Sequence, residues 1–482
     1  MRNRAVLLAA GPVAWLVLLL AAPKSLTPEA RQVLGIAAWM AIWWLGEPVP
    51  LGATSLLPIV LFPLFGVRSA KDAAAPYANE LVFLFLAGFL LAAALEKWNA
   101  HSRIAYGIVS GIGGGARRVV LAVMLATGFV SMWISNTATA AMMYPIALAI
   151  GALFGAGTAA DRTRTALMLG VAYAASIGGM GTLLGTPPNL IFAGAARELA
   201  GREVSFVGFM KIGTPIAAVL LPLCWALLVF VLFRGRVDMG AEARRMLRER
   251  QVALGPMGGG EARTMAIFLF MVAGWLLRER KDLGAVTIPG LADIAPGITD
   301  ASVGLAGALL LFVTSDRAPR SGGRPLLTWR EAREIPWEVL LLFGGGLSLA
   351  AAMESSGLAR WLGGNLGSLA GSSRLAVYGG LAAVVLVLSE LASNTAVAAM
   401  AMPIAASLAP AVGEPPLALM LVAALAASTG FALPVATPPN AIVFGSGQVS
   451  VRQMALAGVL LDLIAVGVIV VAVMFFYPVV FG

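Results

Sequence analysis

Long apolar runs recur from end to end of this chain, broken by short polar or basic segments. Most are long enough to cross a bilayer as a helix, and none alternates with the two-residue period of a membrane barrel strand. The pattern predicts an all-α polytopic membrane protein with eleven crossings: 5–22, 32–46, 51–66, 79–97, 164–195, 207–233, 264–278, 298–315, 336–355, 415–445 and 454–480. Two of them are broken, at Thr186-Pro187-Pro188-Asn189 and at Thr437-Pro438-Pro439-Asn440, because consecutive prolines remove two N–H donors. Two further apolar regions, 117–156 and 374–411, carry Ser135-Asn136-Thr137 and Ser393-Asn394-Thr395 near their middles. Each has enough residues to enter the membrane, turn at the tripeptide and leave by the same side. Such a re-entrant hairpin is tolerated where protein or a water-filled cavity shields its tip.

The two halves repeat each other. Both the tripeptides and the segments beginning Glu80-Leu81-Val82 and Glu338-Val339-Leu340 align at a spacing of 258 residues, which points to duplication. Five crossings, an odd number, separate the tripeptides, so the second hairpin enters from the opposite face and the repeats are inverted. Glu80 and Glu338 are expected at corresponding helix ends.

Composition narrows the class. The 482 residues are 60% hydrophobic and 12% charged, against about 25% charged in a soluble domain, and the abundant glycine suits close helix packing in lipid. The single cysteine, Cys224, excludes a disulfide within the chain and a thiolate metal cluster. The only histidine, His101, is expected at a helix end as a solvated surface group. Met1-Arg2-Asn3-Arg4 and the apolar run behind it, with no clear cleavage site, read as a retained first helix. The net charge of +9 does not call for nucleic acid, because Lys and Arg concentrate in cytoplasmic loops. With the N-terminus cytoplasmic and the C-terminus outside, 21 of the 33 Lys and Arg fall inside, most densely between Arg234 and Arg263.

Hairpin tips and broken helices leave backbone groups without helical partners. Free carbonyls, for instance of Gly185 and Ala436, together with Ser and Asn oxygens, suit Na⁺, a hard cation that takes oxygen ligands. Free N–H groups, helix N-termini and the donors of Asn and Thr suit a carboxylate or another oxyanion. Each tripeptide should meet its break in space and build half of a shared site. No Lys or Arg lies at either tip or break, so a bound polyanion would need co-bound cations to offset its burial. Glu390 is expected to pack at the second hairpin, with protonation as the alternative, and Asp462 to make an interhelical hydrogen bond.

At these motifs the chain resembles the divalent anion:sodium symporter family over nearly its whole length; Met132-Trp133-Ile134 and Ile335-Pro336-Trp337 strengthen the likeness. The resemblance implies one Na⁺ site at Ser131, Ser135, Asn136 and the Gly185 backbone. It implies a second at Ser389, Asn394 and the backbones of Ala392 and Ala436. Asn136, Thr137, Asn394, Thr395, Thr186 and Thr437 would face the substrate. It also implies a homodimer in which a fixed scaffold (1–112 and 262–372) holds a moving transport domain (113–261 and 373–482).

The function expected is secondary active transport, not catalysis: Na⁺-coupled symport of a C4-dicarboxylate across a bacterial inner membrane by an elevator-type mechanism. An exchanger, or a citrate or sulfate carrier of the same fold, is the alternative. An anion channel would need a continuous pore, and an enzyme would need a metal or nucleophile cluster that the sequence lacks.

Overall fold

A computed structural model describes residues 2–481 apart from 24, 113–114, 236–244, 246–248, 250–251, 283–286, 317–322, 366–370 and 372. Of the basic loop expected from Arg234 to Arg263, residues 236–244, 246–248 and 250–251 lie outside the described residues, and from Gly259 the chain is helical. Helix makes up 77% of the structure, and the named strands are a minimal hairpin, Lys281–Asp282 with Thr287–Ile288.

The apolar runs become helices at nearly the expected places. Among them are Arg2–Ala21, Pro28–Gly46, Glu80–Lys97, Phe206–Ala226, Gly259–Arg278, Asp300–Val313, Trp337–Ser355 and Val451–Val480. Among the described residues, eight helices are long and apolar enough to cross a bilayer unaided. Length alone does not count the crossings. Arg374–Leu391 and Asn394–Val412, expected as re-entrant legs, reach that length, whereas the expected crossing 51–66 is two short helices, Leu51–Thr54 and Leu57–Leu64.

Both hairpins form. Ala116–Ser131 turns through residues 132–135 into Asn136–Ala152, and Arg374–Leu391 turns through Ala392 and Ser393 into Asn394–Val412. Each pair flanks a central helix, Thr158–Gly179 or Pro416–Ala426, that is buried along most of its length. Small residues permit this: a methyl at Gly178 would overlap the Gly128 carbonyl of the neighbouring leg, so the two backbones touch. Each central helix then breaks, at 180–186 and 427–437, and resumes as Pro187–Ala200 and Pro438–Phe444.

Two elements escape the sequence reading. Ala100–Ile112 and Leu358–Asn365 are amphipathic helices between the preceding apolar helix and each tripeptide-bearing helix pair. Their alternation of small, polar and apolar residues lacks the length of an apolar run, which is why a search for crossings passes over them. His101 does stand at a helix end, in the first turn of Ala100–Ile112, but it is not a solvated group. It is buried (7% exposed), with Nδ1 2.8 Å from the Leu95 carbonyl and Nε2 3.3 Å from Ser102 Oγ.

Candidate functional site

The four motifs converge on one cavity of about 870 Å³. Its floor is built from Ser135, Asn136, Thr137, Gly185 and Thr186 of the first repeat and Ala392, Ser393, Asn394, Thr395, Ala436 and Thr437 of the second. The opposite wall comes from Leu45, Glu47, Phe89, Glu334, Glu338 and neighbouring residues. The lining contains three carboxylates and no Lys, Arg or His. Helices Asn136–Ala152, Asn394–Val412, Pro187–Ala200 and Pro438–Phe444 all begin at this cavity, so helix N-termini supply what positive potential the protein offers there.

Behind each tip sits a nearly identical oxygen cluster. Ser131 ends the first leg, and its Oγ lies 2.8 Å from Asn136 Oδ1 and 2.7 Å from the Ala175 carbonyl. In the second repeat Ser389 Oγ lies 2.7 Å from Asn394 Oδ1 and 2.6 Å from the Ala427 carbonyl. Turned the other way, the Asn136 amide nitrogen would lie 2.8 Å from Ser131 Oγ, 3.0 Å from the Ala175 carbonyl and 3.3 Å from the Gly185 carbonyl. With the oxygen inward, Asn136 faces only acceptors, and a set of oxygens converges with too few protons to share. That donor set fits a small hard cation such as Na⁺, and the same orientation turns the Asn136 NH₂ away from the cluster.

The cluster depends on an absent side chain. A methyl at Gly179 would overlap Asn136 Oδ1, and one at Gly185 would overlap the Gly179 carbonyl. Gly179→Ala should therefore displace Asn136 and cost at least tenfold in apparent Na⁺ affinity, about 1.4 kcal/mol or more. Na⁺ titration of uptake checks it; a parental Na⁺ dependence would show that Asn136 can move aside at no cost.

Other expected residues have mixed roles. Ser135 accepts a hydrogen bond from Ala138 N at 3.3 Å and so caps the second leg, while Ser393 makes no such cap. Thr437 caps its half-helix through Asn440 N, 3.3 Å away; Thr186 makes no side-chain cap. Both threonines are buried at the cavity edge. Glu80 and Glu338 do open equivalent helices, but Glu80 pairs with Arg197 whereas Glu338 lines the cavity.

The fourth residue of each Thr-Pro-Pro-Asn motif has a structural role. Asn189 and Asn440 are fully buried. Asn189 Nδ2 donates to the Gly179 and Thr182 carbonyls at 3.0 and 2.7 Å, and Asn440 Nδ2 to the Gly430 and Leu433 carbonyls at 3.1 and 3.0 Å. Each ties its unwound segment shut. Their recurrence after both Thr-Pro-Pro motifs was the available signal.

Over residues 2–482 the chain matches the sodium:sulfate symporter transmembrane region. The chain belongs to the divalent anion:sodium symporter family. It is 40% identical over 480 residues to the sodium-dependent dicarboxylate transporter SdcS of Staphylococcus aureus, covering 98% of this chain and 91% of that protein. The SdcS protein of Staphylococcus saprophyticus is 39% identical over the same shares. Two solved transporters share the fold at low identity. MtrF of Neisseria gonorrhoeae has a TM-score of 0.57 at 12% identity over 97% of this chain and 96% of its own. YdaH of Alcanivorax borkumensis has 0.56 at 16%, over 86% and 87%. This symporter family member is thus a multi-pass membrane protein.

Outside the membrane segments, burial holds the His101 imidazolium below its ordinary pKa of 6.5, partly opposed by the Leu95 carbonyl and Glu96. A lowered pKa means that the folded state binds the proton less well than the unfolded one, so stability is full above 6.5 and falls as the pH drops through the folded value. The melting temperature should fall on acidification from pH 7.5 to 5.5, and His101→Gln should flatten that slope. Parallel slopes for both proteins would assign the acid sensitivity to other groups.

Proposed function

We propose that this protein is a Na⁺-coupled symporter of C4-dicarboxylates such as succinate, malate and fumarate in a bacterial inner membrane. The observation that carries the reading is the pair of matched Ser–Asn–carbonyl clusters flanking one cavity without a basic residue. A dianion there faces Glu47, Glu334 and Glu338 rather than an arginine, so its burial needs cations that arrive with it. Na⁺ at Ser131/Asn136/Gly185 and at Ser389/Ala392/Asn394/Ala436 would supply that charge beside the carboxylates. The Asn136 and Asn394 amides, Thr137, Thr395, Thr186 and Thr437 orient the anion between the two tips. The 40% identical relative is named a sodium-dependent dicarboxylate transporter, which supports the choice of substrate. Sulfate is the competing substrate, because neutral donors read oxyanions without counting carboxylates.

The topology proposed is eleven crossings and two re-entrant hairpins in inverted repeats, with a cytoplasmic N-terminus and an external C-terminus. Its parity is the same whether each hairpin's two legs re-enter or cross. On the cavity's scaffold wall, Glu47 follows the end of one helix and Glu338 opens another. Arg4 donates to the Pro48 carbonyl at 2.9 Å, and Lys97 meets Glu331 at 2.9 Å, on that same side. The basic residues favour that side as cytoplasmic, so the cavity opens inward.

Elevator movement of 113–261 and 373–482 against 1–112 and 262–372, in a homodimer, completes the proposal. Far from the mouth the two parts are joined by Asn79 with Glu198 (3.1 Å), Glu80 with Arg197, Arg278 with Glu203 (3.5 Å) and Asp300 with Phe206 N (2.7 Å). An elevator must break these contacts in each cycle. Cysteines at 79 and 198 in a Cys224→Ala background should cross-link and stop transport until reduced; transport that survives the cross-link would refute the movement. Uptake of labelled succinate into proteoliposomes, with and without a Na⁺ gradient and with sulfate or citrate as competitors, tests the function itself. Uptake indifferent to Na⁺ but driven by internal dicarboxylate would make the protein an exchanger.

A further inference from the structure

The two cation clusters match, but the loops behind them do not. The first break, 180–186, has seven residues, and the second, 427–437, has eleven. A longer unwound segment carries more conformational freedom and more orphan N–H groups. In the first break, Thr182 Oγ1 donates to the Met132 carbonyl at 2.5 Å and accepts from Gly185 N at 3.2 Å. The residue matching Met132 in the second hairpin, immediately after Ser389, is Glu390.

Glu390 turns away from the cavity and into the second loop. Its Oε1 accepts from Ala432 N at 2.7 Å and its Oε2 from Leu433 N at 2.9 Å. Asp462, on the last helix, faces Glu390 and the Phe431 backbone, with its Oδ1 buried and without a hydrogen-bond partner. Both acids are buried, 8% and 4% exposed. One turn earlier on that helix, Gly458 lies so close that a methyl there would overlap the Phe431 carbonyl and Ala432 Cα. Three consecutive residues, 431–433, are therefore held from one side by the Glu390 carboxylate, with Asp462 behind it, and by a close-packed helix. From the other side, Asn440 holds the Gly430 and Leu433 carbonyls, and Ala436 N returns to the Leu433 carbonyl at 3.2 Å.

We propose that Glu390 and Asp462 are positioning residues for the second cation site, which fix the 427–436 loop so that its carbonyls stay in register with Ser389 and Asn394. This deepens the Na⁺-symport reading and rests on it. Glu390 is joined directly to Ser389, so the carboxylate that holds the loop and the hydroxyl that reaches Asn394 and Ala427 belong to one rigid helix end. Without the carboxylate, the Ala432 and Leu433 N–H groups lose their acceptors, and the segment between Ala427 and Ala436 loosens where the oxygens must converge. The first repeat has no such pair, so the dependence belongs to the second site alone.

Glu390→Gln keeps the shape but turns an NH₂ toward a backbone N–H. It should raise the Na⁺ concentration for half-maximal succinate uptake about tenfold, and Asp462→Asn, which removes only the outer support, about threefold. The succinate KM at saturating Na⁺ should stay within about twofold of the parent for both. In detergent without succinate, the Na⁺ dependence of the melting temperature should shift in the same direction. Should Glu390→Gln fail to fold, Asp462→Asn decides by the same readouts. Unchanged Na⁺ dependence overturns the proposal, as does a succinate KM at saturating Na⁺ that moves as far as the Na⁺ requirement does. A parent protein without any Na⁺-dependent uptake overturns the symport reading and this proposal together.

Discussion

Asn136→Asp and Asn394→Asp should each raise the apparent KM for succinate tenfold or more, at least about 1.4 kcal/mol, while Na⁺ binding alone survives. Each amide lies within 2.8 Å of a serine hydroxyl, and with its oxygen turned to the cation cluster it carries two N–H donors on its other arm. With the oxygen committed to the cation cluster, that arm is what remains for the anion. Aspartate keeps the size and the oxygen, loses both donors, and sets a negative charge beside a dianion in a cavity that already holds Glu47, Glu334 and Glu338. The added charge sits nearest the cation, which is why Na⁺ is retained. Succinate and Na⁺ dependences of uptake, with Na⁺-induced thermal shifts in detergent, separate the two effects. Near-parental succinate affinity in both variants would mean that neither asparagine touches the substrate, even with the family assignment intact.

Asn189→Asp and Asn440→Asp should do something different and larger: they should abolish accumulation of folded protein. In the structure Asn189 is fully buried, with its NH₂ shared between the Gly179 and Thr182 carbonyls. A carboxylate in its place would point oxygen at two carbonyl oxygens and bury an unpaired charge, costing several kcal/mol. That is a large part of a typical total stability. Fluorescence-detected size exclusion of the solubilised variants measures the outcome. A monodisperse Asn189→Asp with parental thermal stability would show that the first break closes without it. Variants of Asn136, placed at the tip, should remain folded in the same assay, which separates a ligand role from a structural one.

Much of this was legible in the chain itself. The apolar runs fixed the helical membrane class because hydrocarbon leaves a backbone no partner but itself. Paired prolines located both breaks, since a missing N–H acts locally whatever the fold. The duplicated Ser-Asn-Thr and Thr-Pro-Pro-Asn motifs announced a site because polar groups at that depth need a reason. What the sequence could not decide is everything that depends on which groups face each other. Asn136 and Asn189 are the same residue type in similar apolar surroundings. Only the packing of the central helix makes one a candidate ligand and the other a clasp. His101 differs from expectation for the same reason: the short helix behind Trp98 folds the ring onto the Leu95 carbonyl. Glu390 and Asp462 lie 72 positions apart, and Glu47 and Glu338 come from opposite halves. Local propensity carries no information about such pairs, because their interaction exists only once two distant helices have been brought into contact.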